Sequence, residues 1–317
     1  MSKASLKMAA IGECMLELSH VGDDLYKQRF AGDAFNTSVY LARILGANAD
    51  VYFVSSVGED RLSEEMIEYC QSESICCDYI CKVPKKIPGL YRINTDVDGE
   101  RTFQYWRSDS AAKMLFYCSS FASVRKALLD FDILFISGIS VAILDDYSRE
   151  QLVDLIKELK IAGVRIYFDP NYRAALWSDL NQAQWVLNQF AMLSDVVLPS
   201  FDDEKSLYPN ISITDVLAKY GAMGIEEIVL KNGEHSCFVR VEGITHEVIL
   251  LQRVQPLDTT GAGDSFNAGY IAARANQKNV SDSVNMGNEL AAVVVKNLGA
   301  IIDKNDMPTF FNLEYLN

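Results

Sequence analysis

Residues 258–264 read Asp258-Thr259-Thr260-Gly261-Ala262-Gly263-Asp264, and what flanks this run decides the fold class. The preceding residues 246–254 are rich in Val, Ile and Leu, as a strand is, whereas residues 265–274 carry Phe266, Tyr270 and Ile271 at helical spacing. The run is therefore a strand-to-helix turn. Gly261 and Gly263 have no side chains, so the backbone N–H groups around Ala262 can close on an anion, which the donors and dipole of a helix start favour. Asp264 then stands beside that anion as a carboxylate able to take a proton from an attacking hydroxyl. Taken without its neighbours, Asp264 is an ordinary first-turn acid that stabilises a helix by roughly 0.3–1 kcal/mol. The turn lacks the third glycine of the dinucleotide fingerprint, and the chain contains no Gly-x4-Gly-Lys-[Ser/Thr].

Outward from the turn, short runs rich in Val, Ile and Phe at 9–12, 51–54, 133–137, 164–168, 196–198 and 227–230 alternate with amphipathic segments at 36–45, 63–72, 149–162 and 213–223. That alternation predicts an α/β fold with a doubly wound, mostly parallel sheet between two layers of helices. Ligands of such sheets lie beyond the carboxyl ends of the strands, where Gly32-Asp33, Asp169-Pro170-Asn171 and the 258–264 turn fall. Two stretches, about 14–31 and 79–108, break the rhythm with strand-like alternation around the turn Asp98-Gly99-Glu100. They predict a small β-sheet lid, useful where a transferred group must be kept from water. No repeat or linker divides the chain, so residues 1–317 form one domain with a lid.

The 317 residues are 49% apolar and 23% charged, as in a soluble globular protein, and the formal net charge of −14 argues against a nucleic-acid partner. The longest apolar run, 131–144, is well short of the ~20 residues of a membrane span. The apolar stretch 8–12 stops at Glu13, too soon for a signal peptide, so a cytoplasmic location with seven reduced cysteines is expected. Cys70, Cys76, Cys77 and Cys81 form no Cys-x2-Cys pair and have no nearby histidine, so they read as incidental thiols and not as a zinc site. His20, His235 and His246 are scattered over different elements and receive no role.

The complete 258–264 run resembles the second signature of the ribokinase/PfkB family of sugar kinases. Ala31-Gly32-Asp33-Ala34-Phe35-Asn36 looks like the family's first signature, continued by Val57-Gly58-Glu59-Asp60, with Ala31 and Ser63 standing where glycines are usual. The resemblance implies a ribokinase-like fold, ATP and Mg2+ as cofactors, Asp264 as base, an anion hole at Gly261, Ala262 and Gly263, and sugar contacts from Gly32, Asp33 and Asn36. Read locally, Asp33 serves equally as a helix cap.

Ile87-Pro88-Gly89-Leu90-Tyr91 and the 99–112 run around Tyr105-Trp106-Arg107 are similar to the 2-keto-3-deoxygluconate kinases within that family. Alternation puts Tyr105 and Arg107 on one face of a strand, and the planar Arg107 guanidinium suits a carboxylate, unless it pairs with a lid acid such as Glu100. The resemblance implies transfer to the C6 hydroxyl of that sugar acid, with Tyr91, Tyr105, Arg107 and Asp258 on the substrate. It also brings Asn171 to the nucleotide and Arg173 either to the transferred phosphoryl group or to the acid. Lys231, Asn232 and Gly233 match a nucleotide loop. In Leu198-Pro199-Ser200-Phe201-Asp202-Asp203-Glu204 either Asp203 or Glu204 supplies the magnesium-organising carboxylate, or both are solvated helix-start acids. Fructokinase, 5-keto-2-deoxygluconate kinase or nucleoside kinase specificity is the alternative on the same scaffold, and a catalytically silent sugar-acid sensor is the alternative in another class. An exposed lid edge is expected to pair two chains as a dimer.

Overall fold

Strand Leu6–Ile11 shows how the molecule is layered: Met8 and Ala10 enter one hydrophobic core, while Ala9 and Ile11 enter a second one on the opposite side. Side chains alternate across a strand, so a sheet covered on both faces needs apolar residues at every position. The same alternation recurs in Ile133–Ser137, where Ile133 and Phe135 face one core and Leu134 and Ile136 the other. The computed structural model describes residues 5–95, 101–251 and 253–308.

The large sheet has nine strands. From one edge to the other they are Ile244–Val248, Cys237–Val241, Glu227–Leu230, Val196–Val197, Arg165–Asp169, Ile133–Ser137, Leu6–Ile11, Ala49–Val57 and Ile80–Lys82. All neighbours are parallel except the last two pairs at the Ile244–Val248 edge, which are antiparallel. Helices Asp33–Leu45, Ala262–Ala275 and Val280–Val294 bury residues such as Phe35, Tyr270 and Leu290 against one face. Helices Asp146–Ala162, Leu180–Met192 and Ile213–Ala222 bury Leu155, Phe190 and Tyr220 against the other. The chain thus has the expected three-layer, doubly wound, mostly parallel architecture.

A second sheet, in the order Tyr26–Ala31, Met15–His20, Leu90–Thr95, Arg101–Trp106, stands apart from the first as the lid. Strand Ile80–Lys82, inside the span expected for the lid, instead pairs in parallel with Ala49–Val57 and closes the edge of the large sheet. The turn expected at Asp98-Gly99-Glu100 lies outside the described residues. The strand expected over 246–254 is also corrected: it ends at Val248, is antiparallel, and a loop leads from it to the 258–264 turn. No helix among the described residues is long and apolar enough to cross a membrane.

Candidate active site

The carboxyl ends of the parallel strands converge with the lid on a cavity of about 1130 Å3. Gly32, Asp33, Asn36, Tyr91, Tyr105, Arg107, Asn171, Arg173, Asp203, Lys231, Asn232, Gly233, Gly261, Ala262, Gly263 and Asp264 all line it. Residues up to 232 positions apart in the chain are therefore brought to one space, because every strand of a parallel sheet delivers its carboxyl end to the same side.

At the head of helix Ala262–Ala275, Gly261 takes a left-handed conformation, φ 77°, and a Cβ there would lie 2.6 Å from the Ala300 carbonyl oxygen. Both facts require glycine. Gly263 faces the ammonium of Lys231, whose Nζ would be 3.7 Å from a Cβ at that position. The Ala262 N–H donates to the Thr259 carbonyl at 3.2 Å, so the N–H groups of the flanking Gly261 and Gly263, with a lysine opposite, make the anion cradle.

Asp264 sits in the first turn of this helix and accepts a hydrogen bond of 2.8 Å from the Asn36 amide. Burial, the nearby Asp33 and then Asp169 push its carboxyl up to about 7, with Asn36 and Lys231 acting in the opposite direction. A carboxylate held near neutrality is suited to accept a proton at physiological pH. Burial likewise raises Asp33. Gly32 occupies the cap position of helix Asp33–Leu45 and no side chain caps it, so Asp33 is the first helical residue and its carboxylate accepts from the Asn171 amide at 3.3 Å.

Asp169, at the end of its strand, receives Lys231 Nζ at 2.6 Å and the Asn267 amide at 2.7 Å, while Lys231 also donates to Asn267 at 3.0 Å. This buried triad holds the Lys231 ammonium at the cradle. Asp169 and Asn267 were not anticipated; for Asp169 the available signal was its position as the last residue of an apolar strand.

In the lid, the rings of Tyr91 and Tyr105 stack with centroids 5.7 Å apart, and the Tyr91 hydroxyl donates to the buried Glu17. Arg107 and Arg173 both act electrostatically on the Tyr105 phenol, which burial raises. Arg107 lies 2.5 Å from the Glu13 carboxylate, in contact but not aligned as a hydrogen bond, and its Nε has no hydrogen-bond partner. The partner considered from sequence, Glu100, is outside the described residues. Arg173 is half-exposed and reaches Asp203 at 3.4 Å.

Two expectations are corrected. Asp258 does not line the cavity: its carboxylate accepts from the Thr260 N–H at 3.0 Å and the Gly299 N–H at 2.6 Å, which fixes the turn instead of presenting an oxygen to substrate. Glu204 also turns away, buried and saturated by Lys219 Nζ and the Tyr220 hydroxyl, each at 2.5 Å. Helical geometry explains the second: Asp203 and Glu204 are about 100° apart around the Phe201–Leu207 helix, so only one faces the cavity. That one is Asp203, whose carboxyl burial raises.

Comparison with known proteins agrees with this geometry. The model of the pfkB family carbohydrate kinases matches residues 5–307. The 2-dehydro-3-deoxygluconokinase of Escherichia coli (strain K12) is 39% identical over 308 residues, covering 96% of this chain and 99% of that protein. The 2-dehydro-3-deoxygluconokinase of Dickeya dadantii (strain 3937) is 37% identical over 305 residues, 95% of this chain and 98% of that one. The same fold occurs in the crystal structure of a putative ribokinase II from E. coli in complex with ATP and Mg2+, with a TM-score of 0.83 at 20% identity over 98% of each chain. The match runs through both sheets and covers nearly the whole length of these relatives: this chain belongs to the pfkB family of carbohydrate kinases.

Proposed function

We propose that the protein phosphorylates the C6 hydroxyl of 2-dehydro-3-deoxygluconate, also called 2-keto-3-deoxygluconate, using ATP. The single observation that carries phosphoryl transfer is Asp264, part-buried in the cavity wall, raised to about 7 and set beside an anion cradle. Near-full-length relatives named for this substrate support the acceptor. So does the convergence of Tyr91, Tyr105, Arg107 and Arg173 at the lid side of the cavity, where two guanidiniums and the Tyr105 phenol offer the donors that a carboxylate takes.

In this reading the acceptor hydroxyl lies against Asp264, which takes its proton as the oxygen attacks phosphorus. Backbone N–H groups of Gly261 and Gly263 stabilise the charge on the transferred group, the Ala262 N–H being held by the Thr259 carbonyl, and Lys231, held by Asp169 and Asn267, supports the same charge. Gly32, Asp33 and Asn36 bind sugar hydroxyls, Asn171, Asn232 and Gly233 bound the nucleotide, and the lid excludes water that would compete with the sugar. Asp203 would hold a hard cation as an oxygen donor that faces the cavity, with Arg173 and Lys231 as its cationic neighbours. Mg2+ held there would neutralise charge on the ATP phosphates. Cytoplasmic residence and pairing of two copies through the lid belong to this reading; light scattering at micromolar protein checks the dimer, and a monomer refutes it.

A coupled ATPase screen over sugars and sugar acids tests the function. Selective turnover of 2-dehydro-3-deoxygluconate is expected, and preference for fructose or a nucleoside would overturn it.

A further inference from the structure

Behind the acid-binding corner lies a carboxylate that none of the foregoing chemistry uses. Glu13 follows strand Leu6–Ile11, its side chain is 1% exposed, and it sits 2.5 Å from Arg107 Nη2 without lining the cavity. Room for it is made by Gly89, where a Cβ would meet Glu13 Oε1 at 2.7 Å and the Arg107 Cβ at 3.2 Å. A buried glutamate brings a desolvation cost, and one placed beside a guanidinium whose Nε has no hydrogen-bond partner is not spent on satisfying the fork. Arg107 follows the last lid strand, whereas Glu13 lies in the short connection between strand Leu6–Ile11 of the large sheet and lid strand Met15–His20. The contact therefore ties Arg107 to the point where the lid joins the large sheet.

We propose that Glu13 is the positioning residue that sets this kinase's affinity for the carboxylate of its substrate, by holding Arg107 in place at the cavity wall. The inference rests on the sugar-acid reading given above. Two opposite effects follow from removing the Glu13 charge: Arg107 loses its anchor, and an incoming carboxylate loses a repulsive neighbour. Anchoring prevails, because the hold of Glu13 on Nη2 is direct, whereas Glu13 does not line the cavity and meets a substrate charge only at longer range.

The experiment is direct binding of 2-dehydro-3-deoxygluconate, by calorimetry in the absence of ATP, to the wild type, Glu13→Gln, Glu13→Asp and Arg107→Ala between pH 5 and pH 8. Arg107→Ala tests the underlying reading: unchanged affinity for the acid removes that reading and this inference with it. With Arg107 established, Glu13→Gln is expected to weaken binding about ten-fold at pH 8, the loss of one charge-assisted contact. Glu13→Asp, which withdraws the carboxylate from the guanidinium, is expected to fall between. Burial raises the Glu13 carboxyl, opposed by Arg107 and the Ser110 hydroxyl and reinforced by Asp33. Affinity of the wild type thus declines in acid as Glu13 takes up a proton, and this component is absent from Glu13→Gln; Asp33 and the Cys14 thiol, both within electrostatic reach of Glu13, remain in both proteins. Nucleotide binding, measured on each variant, identifies any that is misfolded, and Glu13→Gln, which keeps the side-chain volume, remains decisive if Glu13→Asp fails. Equal or tighter binding by folded Glu13→Gln, or an acid limb identical to the wild type, overturns the proposal.

Discussion

Asp264 shows how one residue acquires a role from its surroundings. Any first-turn aspartate would assist the helix, but here burial and two neighbouring carboxylates lift its carboxyl to about 7. The base must be ionised to work, so kcat/KM is expected to rise with pH through about 7 and level off above it, which a pH–rate profile with saturating ATP checks. Asp264→Asn should lower kcat by ~10²-fold or more with KM little changed; turnover near that of the wild type would remove Asp264 from the base position. The same shift affects folding. Its folded value lies above the ordinary aspartate value of 3.8, so the native state binds the proton more tightly and this group's contribution to stability falls as pH rises from about 4 to about 7. Asp264→Asn is therefore expected to melt at a higher temperature than the wild type at pH 8, with the gain vanishing near pH 4. At Gly261 a different constraint applies: Gly261→Ala combines a left-handed φ with contact at 2.6 Å to the Ala300 carbonyl. A loss of about 1–3 kcal/mol in chemical denaturation, with a larger proportional loss of activity, is expected.

Among elements, helix packing is what aims the catalytic turn. Helices Ala262–Ala275 and Val280–Val294 approach through two glycines: a Cβ on Gly269 would lie 2.9 Å from the Gly287 Cα, and one on Gly287 would lie 2.8 Å from the Phe266 ring. No rotamer relieves contact with backbone, so Gly269→Ala must push the helices apart. Thermal denaturation should show a cost of roughly 1–3 kcal/mol, and kcat should fall as well because Asp264 rides on the displaced helix. A stability loss without any kinetic change would show that the head of the helix is held independently of its packing. Sequence alternation identified the strands of the parallel sheet because a buried strand must be apolar at successive positions. It misplaced Ile80–Lys82 and residues 246–254, since edge strands are short, half-covered and periodic in ways that lid strands and loops share.

For the whole molecule, the lid joins recognition to closure. Tyr91, Phe103, Tyr105 and Arg107 belong to it or to the segment leading from it, while Asp264 and the anion cradle belong to the large body. A sugar acid that spans both is expected to slow amide exchange in Leu90–Thr95 and the described part of Arg101–Trp106 more than a neutral sugar does, as hydrogen-exchange mass spectrometry can record. It should also raise the stability of the whole chain, by about 2.7 kcal/mol at a hundred times its Kd. Equal protection of the lid by both ligands would separate Arg107 from closure.

The parallel α/β architecture, the glycine turn that heads helix Ala262–Ala275 with its aspartate, and Tyr91, Tyr105 and Arg107 as residues of one cavity were legible in the sequence. Each depends on local rules: side-chain periodicity, the absence of a Cβ, and short motifs whose spacing is fixed by one turn or one strand. Tertiary structure decided which of Asp203 and Glu204 faces the cavity, that Asp258 serves the turn and not the substrate, that Asp169 and Asn267 hold Lys231, and that Glu13 contacts Arg107. These relations join residues distant in the chain, and whether a carboxylate is a ligand, a lock or a base is set by the charges and solvent that folding places around it.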